Sequence, residues 1–315
     1  MKTLRLKRGK EESLDRFHPW VFSGALNEHL PEGLEEGETV GVETADGRFV
    51  GTGHYQIGSI AVRILDFSDR PIDEQFYAVR LQEAFAVRRS LGMMRPDNNA
   101  FRLVHGEGDF LPGLVVDIYG PTAVMQAHSP GMHYAREIIA GQLVAIPGLG
   151  VENVYYKSET TLPYKARLDP QNEYIIGSYV GNEALENGLK FNIDWLKGQK
   201  TGFFVDQRDN RSLLEKFAHG RRVLNMFCYT GGFSVYAMRG GAEQVHSVDS
   251  SEKAITLTDA NIALNFPGDP RHISFAEDAF KFLDRMESGA YDLVVLDPPA
   301  FAKHRSCLLY TSDAA

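Results

Sequence analysis

A chain of 315 residues that is 43% hydrophobic and 24% charged has the composition of a globular protein and the length for two or three domains with cores, which excludes disorder as its default state. Its formal net charge of −9 excludes indiscriminate attachment to nucleic acid, since phosphate backbones are held by clustered Lys and Arg, and any RNA contact must come from local patches. Two cysteines, Cys228 and Cys307, exclude a disulfide framework and a cysteine-rich zinc site.

No apolar run approaches the roughly 20 residues of a membrane span, and the charged start MKTLRLKRGK lacks the apolar stretch of a secretory signal, so a cytoplasmic location is expected. The ten His are scattered without ligand spacing, and no metal site is expected.

Residues 1 to about 72 read as short strands and turns. Leu4 and Leu6 alternate with charged neighbours, Ala45-Asp46-Gly47 is a hairpin signal, and Ile60, Val62 and Ile64 share one face of a strand, which predicts a small all-β domain. Lys2, Arg5, Lys7, Arg8 and Lys10 fall within ten residues free of acid; they read equally as an RNA-contacting patch and as a solvated basic strand. Residues 73–92 hold no Gly or Pro before Gly92, and Phe76, Val79, Ala84, Phe85, Val87 and Leu91 predict a helical apolar stripe, with Arg80, Arg88 and Arg89 on a solvated face.

Between about 97 and 178, the strand-like runs FRLVHG, GLVVDIYG, AVMQAH and VENVYYKS are interrupted by helical YAREIIAGQLVAI, which suggests a small α+β unit. A hairpin turning on Asn187-Gly188 leads into GQKTGFFVDQRDNR. From residue 212, four helix-then-strand units end in RVLNMF, QVHSVD, HISFAE and YDLVVLD, predicting a parallel sheet with helices on both faces. Lys197, Lys200, Arg208, Arg211, Arg221 and Arg222 flank these motifs and can line a common substrate face.

The strand VLNMF runs into CYTGGFSVYA, so Gly231 and Gly232 stand where a strand becomes a helix and backbone can approach a ligand. This is not the G-x-G-x-x-G fingerprint, and glycine pairs in such turns are common. Asp249, eighteen positions after Gly231, ends the next strand; its carboxylate can accept from both hydroxyls of a ribose or simply cap the following helix. Asp278 is placed to reach an adenine amino group, or is a helix cap. The fourth strand ends in Asp297-Pro298-Pro299-Ala300-Phe301, a rigid turn that presents carbonyls and a carboxylate, with Phe301 able to stack on an extruded base.

The strings HPWVFSGAL (18–26), GEGDFLPGLVVD (106–117), GQKTGFFVDQRDNR (198–211), NMFCYTGGFS (225–234), the VDSS turn and DPPAF resemble the bacterial 23S ribosomal RNA cytosine-C5 methyltransferases that carry an N-terminal PUA domain. The resemblance covers the chain to about Lys303. It implies an α/β class I methyltransferase with a Rossmann-like parallel sheet, four of its seven strands being present, behind an all-β PUA domain and a small α+β domain. Expected boundaries are 1–72 (PUA-like, RNA-binding), 73–180 (central, with its connecting helix), 181–305 (methyltransferase) and 306–315 (a non-native tail).

By matching position it also implies S-adenosylmethionine contacts at Gln207, Phe227, Cys228, Thr230, Gly231, Gly232, Asp249, Asp278 and Asp297, the last also positioning the base. RNA contacts are expected at Lys2, Arg5, Lys7, Arg8, Lys10 and Phe301, with ribosomal RNA as partner and a homodimer as one reading of the oligomeric state.

Carbon 5 of cytosine is a poor nucleophile, so the expected route adds a thiolate at carbon 6, lets carbon 5 take the methyl, and then loses a proton and the thiolate. In the resembled family that cysteine lies on a later strand beyond D-P-P. Cys307 is only eight residues after Pro299, and Cys228 reads as a packing residue, so neither is assigned the role. A truncated, inactive chain is therefore expected. Alternatives are a guanine-N methyltransferase and a noncatalytic RNA-binding fragment; a nucleotide-binding dehydrogenase is disfavoured by the missing fingerprint and by D-P-P.

Overall fold

The structure, a computed structural model, describes residues 1–163 and 166–298. Pro299, Phe301, Cys307 and the 306–315 tail therefore lie outside the described residues. The chain divides into two compact units, Met1–Leu185 with Ile193–Phe203, and Glu186–Asn192 with Phe204–Ala315.

The first unit begins with β1 (Lys2–Arg5), α1 (Glu12–Asp15), β2 (Trp20–Phe22), β3 (Thr39–Glu43), β4 (Phe49–Tyr55) and β5 (Ile60–Asp66). The strands form one sheet, β1-β3-β4-β5-β2, antiparallel except where β1 runs parallel to β3. The alternation of Leu4 and Leu6 puts both side chains into a core with Val40, Val42, Val62 and Ile64.

Helix α2 (Glu74–Ser90) is capped by Asp73, whose Oδ1 accepts from the Phe76 N–H at 3.0 Å. Its stripe differs from the expected one. Phe76, Ala84 and Phe85 are buried, but Tyr77, Ala78 and Leu81 complete the face, while Val79, Val87 and Leu91 point outward, Leu91 with 69% exposure. The arginines differ too: Arg88 grips Asp109 and donates to the Arg102 carbonyl, and Arg80 pairs with Asp66 and Glu83. Of the three, Arg89 alone is exposed.

A second sheet follows, from β6 (Ala100–His105), β7 (Leu114–Tyr119), β8 (Thr122–Ala127), α3 (Pro130–Tyr134), α4 (Arg136–Ala145), β9 (Asn153–Tyr156) and β10 (Glu173–Ile176), in the order β10-β9-β8-β7-β6. Only β8 and β9 are parallel, α3 and α4 forming the crossover. Every residue of β8 is buried. Strand β10 adds to the four expected runs; with Glu173 exposed and the next three residues half-buried, its EYII has no alternation by which to recognise it.

The hairpin β11 (Glu183–Glu186) and β12 (Leu189–Asn192) turns on Asn187 (φ 50°) and Gly188 (φ 79°), the successive left-handed residues for which Asn-Gly is suited.

The second unit continues with α5 (Arg208–Ala218), β13 (Arg222–Met226), α6 (Gly232–Arg239), β14 (Gln244–Asp249), α7 (Glu252–Asn265), β15 (His272–Ala276), α8 (Ala279–Asp284) and β16 (Leu293–Leu296). All four strands are parallel, in the order β15-β14-β13-β16. One face, with Leu224, Met226 and Val248, packs on Ala279 and Phe282 of α8. On the other, Asn225 donates to Ser234 of α6 at 2.9 Å, so helices cover both faces.

Strand β16 departs from the expected burial on both sides: among the described residues it pairs with β13, and Val294 and Leu296 are 49% and 63% exposed.

Candidate functional site

The chain leaves β13 for β14 and β15 on one side and returns to β16 on the other. The ends of β13 and β16 therefore flank the topological switch point, where doubly wound sheets leave a crevice beyond their carboxyl ends. The Phe227–Gly232 turn leaves β13 there, and Asp297 follows β16; the register Met226↔Leu296 brings the two strand ends side by side.

The turn is strained. Phe227 (φ 54°), Tyr229 (φ 48°) and Gly231 (φ 73°) are all left-handed, and for the two aromatics this costs about 1–2 kcal/mol each. Such a path persists because its surroundings hold it. The Cys228 N–H donates to the Val248 carbonyl at 3.1 Å and the Tyr229 N–H to Asp249 Oδ2 at 3.0 Å. On α7, Thr258 Oγ1 donates to the Tyr229 carbonyl (3.0 Å) and Asn261 Nδ2 to the Thr230 carbonyl (2.9 Å). A Cβ on Gly231 would lie 2.6 Å from Thr258 Cγ2, so this position needs glycine for space as well as for φ.

Asp249 is half-buried at the end of β14. Its Oδ1 accepts from Ser251 N–H at 2.9 Å while Oδ2 holds the turn, so the carboxylate is oriented and keeps accepting capacity for a diol. Asp278 adjoins it through the Glu277 N–H to Asp249 carbonyl bond of 3.0 Å, but it is exposed and its Oδ1 caps α8 through Phe280 and Lys281. Gln207 closes a 3-10 turn whose neighbour Phe204 meets the Tyr229 ring edge-on at 5.3 Å; its Oε1 accepts from Asn210. Thr230 and Cys228 are buried, and Asp297 is exposed. Burial pushes the Cys228 thiol up to about 12, leaving it protonated near neutrality.

The remaining candidates belong to other elements. Lys2 pairs with Glu38 and Arg5 with Glu43, while Arg8 and Lys10 are exposed and Lys7 half-buried. Of the basic residues expected near the motifs, Arg222 stands at the opposite end of β13 and pairs with Asp292. Arg211 is buried and cannot face a substrate: it forks onto Glu186 (2.8 and 2.7 Å) and donates to the Phe204 carbonyl.

That ion pair went unrecognised in the sequence. Tyr236 OH also donates to Glu186 at 3.0 Å, and Arg211 lies under Gly232, so α5, α6 and the hairpin turn are tied beneath the candidate site. The polar face of α7 was likewise missed, although buried Thr258 and Asn261 and half-buried Asn265, at i, i+3 and i+7, form a legible stripe.

Residues 136–314 match the model of an S-adenosylmethionine-dependent methyltransferase family, and residues 4–67 match a PUA-like domain. The chain is 38% identical over 313 residues to ribosomal RNA large subunit methyltransferase I of Shewanella denitrificans, covering 97% of this chain and 78% of that protein. It is also 38% identical over 315 residues to the same-named protein of Tolumonas auensis, covering 98% and 78%. A Streptococcus mutans protein assigned as a SAM-dependent methyltransferase shares the fold, with TM-score 0.80 and 24% identity over 95% of this chain and 77% of that one. The chain belongs to the S-adenosylmethionine-dependent methyltransferase family, and S-adenosylmethionine is its cofactor.

Proposed function

We propose that this family member methylates a base of large-subunit ribosomal RNA in the cytoplasm, at carbon 5 of a cytosine. The observation that carries the reading is the strained Phe227–Gly232 turn hydrogen-bonded to Asp249 at the switch point of the parallel sheet. The RNA substrate is supported by the names of the two relatives and by the PUA-like match; the acceptor atom rests on the family resemblance of the sequence strings.

The residues present fit the cofactor. Asp249 is already oriented to take a ribose diol, the backbone of 227–232 leaves close approach at the strand end, and Asp278 and Gln207 border it. When bound, S-adenosylmethionine supplies an electrophilic methyl on a sulfonium. The carboxylate of Asp297, beside the switch point, would position the base. Cys228, the one cysteine among the described residues, is buried within the turn and stays a thiol, so it does not supply the thiolate.

Calorimetric titration with S-adenosylhomocysteine tests the reading. Saturable binding, weakened at least about tenfold in Asp249→Ala, is expected, because two oriented hydrogen bonds to a charged acceptor would be lost. No binding by folded protein, or equal binding by the variant, overturns it.

A further inference from the structure

Arg211 and Glu186 form an ion pair whose side chains are 3% and 0% exposed. Withdrawing two charges from water costs about as much as their attraction returns, so a buried pair adds little net stability that well-packed apolar side chains would not match. What such a pair fixes is direction, and here the directions run to the borders of the cofactor turn.

The guanidinium donates through Nε and Nη2 to the two Glu186 oxygens at 2.8 and 2.7 Å, a planar fork that leaves Nη1 aimed at the Phe204 carbonyl, 3.0 Å away. That carbonyl also accepts from the Gln207 N–H at 3.2 Å, so the bond holds the 3-10 turn that carries Gln207, and the Phe204 ring lies edge-on to Tyr229 at 5.3 Å. On the other side, a Cβ built on Gly232 would lie 3.1 Å from Arg211 Cδ, so the stem of the same side chain is the floor beneath the first residue of α6. The Glu186 carboxylate is itself oriented from α6: Tyr236 OH donates to its Oε1 at 3.0 Å and accepts from Asn187 Nδ2 at 3.0 Å.

We propose that Arg211 is a positioning residue for S-adenosylmethionine: gripped by Glu186, it sets the spacing between the Gln207 turn and the start of α6, and so the shape of the site that the strained turn borders. This role rests on the reading of that turn as the cofactor site, and adds to it a residue that acts on the cofactor from beneath, through Phe204 and Gly232. A lysine keeps the charge but lacks the planar fork, so it cannot serve Glu186 and the Phe204 carbonyl in the same geometry.

The test joins S-adenosylhomocysteine titration to hydrogen exchange on the full chain. In the double variant Arg211→Met with Glu186→Met, which strands no buried charge, affinity should fall about tenfold through lost preorganisation while the urea midpoint stays near that of the wild type. The amides of Cys228 and Tyr229 in the turn should exchange faster and that of Leu224 inside β13 should not, whereas a loss of global stability would move all three. Arg211→Lys should bind as weakly as the double variant. Phe204→Ala, at a half-buried position, removes the ring that meets Tyr229 and should also weaken binding, so the role stays testable if the double variant fails to fold.

Wild-type affinity in the folded double variant or in Phe204→Ala overturns the positioning role, and so does weakened affinity with unchanged exchange at Cys228 and Tyr229. Asp249→Ala separates the two readings. If the wild type fails to bind, or binds no better than Asp249→Ala, the cofactor site itself is misplaced; if Asp249→Ala binds weakly and the double variant binds like the wild type, only the role of Arg211 falls.

Discussion

The central sheet of the first unit and the parallel sheet of the second are built on different economies of burial. Around β6 to β9 the interior is apolar and extensive, running from Phe101, Leu103 and Val116 through Met125 to Ile139, Leu143 and Val154. Around β13 to β15 the buried set is rich in polar groups that satisfy one another: Asn225 with Ser234, Ser234 with Ser247, Ser247 with His272, and Arg211 with Glu186. Apolar packing is non-directional and holds a shape; hydrogen bonds and ion pairs are directional and hold particular atoms in particular places. The polar interior lies beneath the strained turn, where direction matters most.

The largest expected effect sharpens this contrast. Arg211→Ala should destabilise the protein by about 3–5 kcal/mol, because it strands a buried carboxylate, while replacing both Arg211 and Glu186 by Met should cost far less. Urea unfolding distinguishes them; a double variant as unstable as the single one would show that the pair contributes stability and not only direction.

In the apolar sheet, Leu103→Ala should cost about 3 kcal/mol through lost burial and the cavity left behind, with little effect on S-adenosylhomocysteine affinity. An affinity loss as large as that of Asp249→Ala would break the separation between the two sheets.

Each unit also buries one histidine in its neutral form. Burial lowers His54 on β4 and His272 on β15 to about 4. Their unfolded value is about 6.5, so the unfolded chain takes up protons first as pH falls. Stability should therefore decline from about pH 6.5 toward pH 4 and then level, by at most about 3 kcal/mol for each ring. Urea midpoints across this range, with His54→Asn and His272→Asn, assign the decline to its unit; a midpoint independent of pH would contradict the burial of both.

The smallest effect is Gly231→Ala, expected to cost about 2 kcal/mol through the left-handed φ and the approach to Thr258. Cofactor affinity should fall with it. Retained affinity at lowered stability would show that the turn is only structural.

Much of this architecture was legible because its determinants are local. The order of helices and strands after residue 212, the Asn187-Gly188 turn and the strand-end positions of Asp249 and Asp297 all follow from periodicity and turn chemistry among neighbouring residues. The face of α2 was misjudged because Tyr77 and Leu81, not Val79 and Val87, meet the core, and a helix with apolar residues on several sides does not announce which side has a neighbour. Asp278 stays compatible with both readings, since capping α8 engages only its Oδ1.

What the sequence by itself determined is therefore the order of elements, their main turns and the strand ends at which ligand chemistry can occur. Tertiary structure decided the partners. It turned Arg211 from a surface cation into half of a buried pair and set Thr258 and Asn261 against the carbonyls of the turn. The physical reason is range: periodicity is written in residues a few positions apart, whereas Glu186 with Arg211, or Trp20 with Glu107, become neighbours only when distant segments pack.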